Sequence, residues 1–161
     1  MRELIGGAVD DAVEPVAGET RSVVGARDAL ARAGTRLARY EAFEGQAGPD
    51  PRSADVSAVE AGVRRIIAVE GPMCTKRAYD IYLRGCGIRR LGGDIKRIMN
   101  RALSAAIRRG AITKEDEHGT GGLVWSIVRG AGTPPVRVRE RGPRTFEELP
   151  PSEVLAVALS R

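Results

Sequence analysis

Three stretches of helical periodicity after residue 55, then two short β-rich runs around a polar loop, predict a mainly α-helical protein with a small β-hairpin. Three helices followed by a hairpin are the parts of a winged helix-turn-helix, in which the third helix enters a DNA groove and the hairpin can touch the backbone. An N-terminal extension precedes this unit and a strand-helix tail follows it. The chain therefore divides into residues 1–55, 56–130 and 131–161.

Residues 1–19 are acidic, contain glycine and show weak periodicity, so little order is expected there. From Thr20 to Phe43, Val23, Leu30 and Leu37 recur among alanines at roughly helical spacing, which predicts a helix although Gly25 and Gly34 each cost about 1 kcal/mol relative to Ala. EGQAGPDPRSAD, residues 44–55, has two prolines, two glycines and no apolar period, and reads as a linker.

At residues 57–60, SAVE fits a capping box, with the Ser57 hydroxyl and the Glu60 carboxylate each accepting from the other's amide. The first helix follows, with Val59, Val63, Ile66 and Ile67 as its buried stripe, and Gly71-Pro72 ends it. Thr75 is placed to cap a shorter second helix carrying Ala78, Ile81 and Tyr82 inward, closed by Gly85 and Gly87 in left-handed conformations. The third helix starts at Gly93 and Asp94, where a carboxylate favours the positive end of the dipole. Its core face is Ile95, Ile98, Met99, Ala102, Leu103 and Ala106. After Gly110 the period shortens: residues 111–114 and 123–128 read as strands joined by EDEHGTGG.

Charge is concentrated in this unit. The whole chain carries a formal +5, but residues 61–114 hold 13 Lys and Arg against Glu70, Asp80 and Asp94, a net +10 that leaves −5 for the remainder. Clustered cations attract polyanions, of which nucleic acid is the commonest; a solvated surface is the alternative. On the third helix Arg97, Arg101, Ser104 and Arg108 fall at i, i+4, i+7 and i+11, flanked by Lys96 and Asn100. Arg and Asn suit base edges, whereas Lys and Ser more usually reach phosphates. Lys114, on the first hairpin strand, extends the set.

Between the second and third helices, GCGIRRLGG matches neither the phosphate loop GxxxxGK[ST] nor the dinucleotide fingerprint GxGxxG, since Arg90 stands where the third glycine belongs. It reads as a turn anchored by Ile88 and Leu91, leaving Arg89 and Arg90 outside to clamp a phosphate backbone or to stay solvated.

Catalytic and metal signatures are missing from the pattern. Cys74 and Cys86 fit neither a CxxC redox site nor a zinc knuckle and read as reduced thiols, and neither HExxH nor GxSxG occurs. His118, the only histidine, lies in the predicted hairpin loop beside Glu115, Asp116 and Glu117 and reads as solvated rather than metal-bound. Trp125 reads as a core or hairpin residue, with base stacking as its alternative role. No bound metal, no cofactor and no enzyme activity are expected. No apolar run is long enough for a membrane span and no secretory leader is visible, so a cytoplasmic protein with no membrane partner is expected.

In the tail, Thr133-Pro134-Pro135 breaks the chain, residues 136–139 (VRVR) alternate like an edge strand, and Pro150-Pro151-Ser152 leads into the apolar helix EVLAVAL. Val154, Leu155, Ala158 and Leu159 are positioned to pack back on the helical unit or to receive a partner.

Residues 56–161 resemble the domain found at the C-terminus of large bacterial superfamily I helicase proteins, often beside a Vsr-like endonuclease domain. The resemblance rests on EGP at 70–72, the Gly87-x-x-Arg90-x-Gly92 pattern, Trp125, and the tail FEELPP at 146–151. It implies a winged-helix-like accessory module of DNA repair or defence and supplies no catalytic residues; the helicase and nuclease portions themselves are absent here. The expected function is a non-enzymatic DNA-binding module with weak sequence preference, acting on double-stranded or forked DNA, with a helicase or nuclease chain as partner. A protein-docking winged helix is the second reading, and a hydrolase with an unrecognised site a distant third.

Overall fold

A computed structural model describes residues 37–160. Its elements are α1 (Val56–Glu70), β1 (Met73–Cys74), α2 (Thr75–Gly85), α3 (Gly93–Arg108), β2 (Ile112–Glu115), β3 (Ile127–Gly130) and α4 (Pro151–Leu159), with 3₁₀ turns at Leu123–Trp125 and Phe146–Glu148. Among the described residues the fold is mixed, four helices with one small antiparallel sheet. The expected hairpin is β2–β3, registered Ile112 to Gly130 and Glu115 to Ile127; β1 adds to its other side through Met73–Val128 and Cys74–Ile127, giving the order β1-β3-β2.

The core forms where three apolar stripes meet. Val59, Val63, Ile66 and Ile67 of α1 are buried as their spacing predicts, as are Ala78, Ile81 and Tyr82 of α2, joined by Tyr79. On α3, Met99, Ala102, Leu103 and Ala106 are buried, while Ile95 and Ile98 are half-buried at its margin. Met73, Ile112 and Val128 close the sheet side. Truncating one of these buried aliphatics to Ala costs about 2–5 kcal/mol.

The helix starts differ from expectation. Asp55, not Ser57, caps α1, and no side chain bonds the cap. Its amide-accepting role passes to the backbone, the Asp55 carbonyl receiving the Ala58 and Val59 amides. The capping box fails because Glu60 is buried and paired with Arg109 instead. Thr75 is the first residue of α2 rather than its cap; its amide and hydroxyl both donate to the Ser126 carbonyl, 2.9 and 3.1 Å away, fastening α2 to the sheet. Of the two closing glycines only Gly87 is left-handed, at φ +73°; Gly85 ends the helix, close to residues 45–47.

The N-terminal readings change most. The described end of the predicted 20–43 helix, residues 37–43, is not helical, and Ala38 bridges Arg139 in parallel; residues 20–36 lie outside the described residues. The expected linker lies against α1 and α2 as a strap. Ala47 is buried, the Tyr82 hydroxyl donates to the Pro49 carbonyl at 2.8 Å, and a Cβ on Gly62 would come within 2.8 Å of the Ala47 oxygen. Small residues on both sides permit that approach, so missing periodicity here marks close packing and not looseness.

In the tail, residues 136–139 form no strand beyond the single bridge at Arg139, because Arg139 turns inward beside Val136 and Val138. Helix α4 has Pro151 at its start as expected, but it packs through Ser152, Glu153 and Ala156. Leu155 and Leu159 are 44% and 59% exposed, Ala158 is exposed and Val154 half-buried, so the predicted apolar face is mostly the outer one.

Candidate nucleic-acid interface

Helix α3 has two faces set by its sequence. At about 100° per residue, Arg97, Arg101, Ser104 and Arg108 fall within about 60° of one another, and the buried Met99, Ala102, Leu103 and Ala106 centre about 180° away. The structure agrees: Arg97, Arg101 and Arg108 are exposed, Ser104 is half-buried, and Lys96 is exposed on the flank. The inward face packs on α1, so the cationic face is carried on a rigid support. Arg97 lies 2.6 Å from Asp94, but the two side chains are 79% and 87% exposed, a pair too hydrated to keep Arg97 from a phosphate.

Asn100 is half-buried and accepts the Tyr79 hydroxyl at 3.0 Å, which fixes its amide oxygen. Burial raises the Tyr79 pKa, so this donor keeps its proton. Arg89 and Arg90 are exposed on the turn, with Ile88 and Leu91 packed against the core beneath, as predicted. The Ile88 amide donates to the Leu83 carbonyl at 2.8 Å, which pins the turn. Lys114 is exposed on β2, a separate element. Sequence and structure together therefore gather Arg89, Arg90, Lys96, Arg97, Arg101 and Arg108 on one helix and its leading turn.

The hairpin loop departs from its solvated reading. Asp116 accepts the Thr120 and Gly121 amides at 3.1 and 2.7 Å, and Glu115 meets Arg129 at 2.9 Å. Glu117 accepts the Ser152 amide and hydroxyl at 2.8 and 3.0 Å, capping α4 from the loop; burial raises its pKa above the ordinary carboxylate value. His118 is half-buried and meets the Trp125 ring edge-on, with centroids 6.3 Å apart. Trp125 sits in the 3₁₀ turn, because β3 begins only at Ile127. Among the described residues no cluster of His, Cys, Asp and Glu is placed to hold a metal.

Not all of the basic block faces water. Arg77 is buried with Glu70 at 2.7 Å, and Glu70 also accepts the Phe43 amide at 2.8 Å and the Tyr40 hydroxyl. Arg139 donates to the Glu70 and Pro72 carbonyls at 2.8 and 2.6 Å. The Tyr40 ring lies within 4.4–5.8 Å of the guanidinium carbons of Arg144, Arg139 and Arg77. Burial, with the bond to Glu70 second, pushes the Tyr40 pKa up to about 12. EGP at 70–72 and the FEELPP tail meet at Arg77, which lies between Glu70 and Glu148, 3.5 Å from the latter, while Arg139 and Arg144 carry the buried network on to Glu153. Sequence reasoning missed it because arginine in a basic chain reads as surface; the glutamates near EGP and PPSE were its only signal.

No protein-family model matches the chain, and no curated protein and no solved structure matches it either.

Proposed function

We propose that the protein is a winged-helix DNA-binding module of non-enzymatic type, with weak sequence preference, acting beside a helicase or nuclease supplied by another chain. The observation that carries this reading is the arginine face of α3, continuous with Arg89 and Arg90 and set opposite a fully buried stripe. Support for the fold name comes from the order α1-β1-α2-α3-β2-β3 and the sheet order β1-β3-β2, with α3 followed directly by the hairpin. The tied-off acidic loop argues that the helix and its turn, rather than the hairpin tip, meet the phosphates. Fixing of Asn100 by Tyr79 argues for weak base readout. No helix among the described residues is long and apolar enough to cross a membrane.

A mobility-shift series with duplex, single-stranded and forked DNA tests this reading. Duplex binding in the range of about 10⁻⁴ to 10⁻⁶ M, weakening steeply with salt, is expected. Absence of binding at low salt would reject it.

A second reading, protein docking, is favoured by one surface. An apolar groove of about 530 Å³ runs between Leu37, Phe146, Leu149 and the Val154, Val157 and Ala158 flank of α4, and Phe146 is 73% exposed. Binding of a partner helicase or nuclease that is lost on Phe146→Asp, with DNA binding absent, would make docking the main function.

A further inference from the structure

We infer that the cleft between α2 and the turn leading into α3 receives one unpaired nucleotide of the DNA held on α3; the inference rests on the DNA-binding reading. The cleft measures about 590 Å³. Its lining is mainly polar, with Lys76, Asp80 and Arg84 following one another along one face of α2 and Arg89 on the turn, and its apolar part is Ile88 and Leu91 with Leu83 buried beneath.

The wall is preformed. Leu83 is buried, Ile88 and Leu91 pack on the core, and the turn is closed by the Gly87 amide to the Arg84 carbonyl and the Ile88 amide to the Leu83 carbonyl. Gly87 takes the left-handed conformation that this closure needs, so no rearrangement is required to open the space. Arg84 and Arg89 are exposed, and neither meets a carboxylate among the described residues. Lys76 holds the Asp80 carboxylate at 2.5 Å, fixing an acceptor inside the cleft.

This lining selects its ligand by exclusion. A bare phosphate would meet the two guanidiniums but leave Asp80, Ile88 and Leu91 without a partner. A purely apolar ligand would strip water from four charged groups without replacing it. A nucleotide meets all three parts: one side of the base on Ile88 and Leu91, a phosphate on the two guanidiniums, and base N–H donors for Asp80. A paired base is held in its stack, whereas an unpaired one at a fork enters at least cost. Arg89 belongs both to the cleft and to the cationic turn, so a strand lying along α3 passes the cleft mouth.

Fluorescence anisotropy at one salt concentration, on a blunt duplex and on the same duplex ending in an unpaired fork, tests the inference. The fork should bind about tenfold more tightly than the blunt duplex. Arg84→Gln, an exposed change outside the α3 face, should reduce that preference to about twofold or less with blunt-duplex affinity nearly kept. Circular dichroism confirms the fold. Equal binding of fork and blunt duplex by the parent would overturn the cleft assignment and leave the α3 reading standing; failure to bind either would overturn both. A fork preference that survives in both Arg84→Gln and Ile88→Ser would place the unpaired base elsewhere. Micromolar binding of thymidine monophosphate, with the two DNAs bound equally, would make the cleft a free-nucleotide site and likewise overturn the assignment.

Discussion

Arg144 and Glu153 form a two-pronged ion pair inside the protein, each guanidinium Nη lying 2.8 Å from a different carboxylate oxygen. Arg144 is wholly buried, and it also donates to the Glu140 and Arg141 carbonyls. Removing Arg144 leaves the buried Glu153 carboxylate with only the longer contact to Arg139, at 3.5 Å, and takes the donor from two carbonyls, which costs far more than the pair itself contributes. Arg144→Ala should therefore lower stability by about 3–5 kcal/mol. Urea unfolding measures it, and a loss under about 1 kcal/mol would show that Glu153 finds another partner or water.

Tyr40 gives a pH signature. Its pKa is raised from the ordinary 10 to about 12 in the folded chain. The stability that the shift represents is fully present below pH 10 and is lost as pH climbs toward about 12, because the unfolded chain ionises first. Tyr40→Phe should be less stable than the parent at pH 8, since Glu70 loses a donor. That deficit should shrink between pH 10 and 12. Unfolding curves for both proteins at pH 8, 10 and 11 check it; a constant gap would contradict the linkage.

Glycine substitutions distinguish packing from propensity. A Cβ on Gly62 would lie 2.5 Å from the Tyr82 ring and 2.8 Å from the Ala47 oxygen, whereas one on Gly93 meets nothing within 4 Å. Gly62→Ala should lower the melting temperature even though alanine is the better helix former by about 1 kcal/mol. Gly93→Ala should leave it unchanged or raise it slightly. Equal effects at the two sites would mean that the strap yields freely.

The cationic face is tested by salt dependence. Changing Arg97 and Arg101 together to Ala should lower the log-log salt slope of duplex binding by about two units if each meets a phosphate. Both are exposed and off the buried stripe, so circular dichroism should report an intact fold. An unchanged slope in the folded variant would mean that this face is merely solvated.

The helices were legible because burial in them follows a period. The α3 pattern names both its faces, and the α1 stripe is buried residue for residue. β1 was not legible: two residues cannot show alternation. The strap escaped for a related reason, since Ala47, Gly48 and Gly62 are chosen for what they allow across the chain, and composition reads such residues as loose. Most hidden of all were Arg77, Arg139 and Arg144. A charge is buried only when partners arrive from distant segments, and Glu70, Glu148 and Glu153 do so from α1 and the tail. For the outer face of α3 the sequence named the exposed cations; the cleft beside it needed the turn folded back on α2 to exist.

The Glu117–Ser152 contact makes the last helix a dependent of the hairpin loop, and Arg139 makes the end of α1 a dependent of the tail. An expression fragment trimmed to residues 56–130 would shed Arg139, Arg144, Glu148 and Glu153 together with Tyr40. Glu70 would keep Arg77 alone, the Glu70 and Pro72 carbonyls would lose their guanidinium, and Glu117 would point at nothing. The three α-helices and the sheet would still have their apolar stripes, yet they would carry a raw polar seam along one side. Proteolytic trimming and truncated cloning should accordingly converge on pieces that retain both the segment around Tyr40 and α4, rather than on the smallest unit that contains the cationic face of α3.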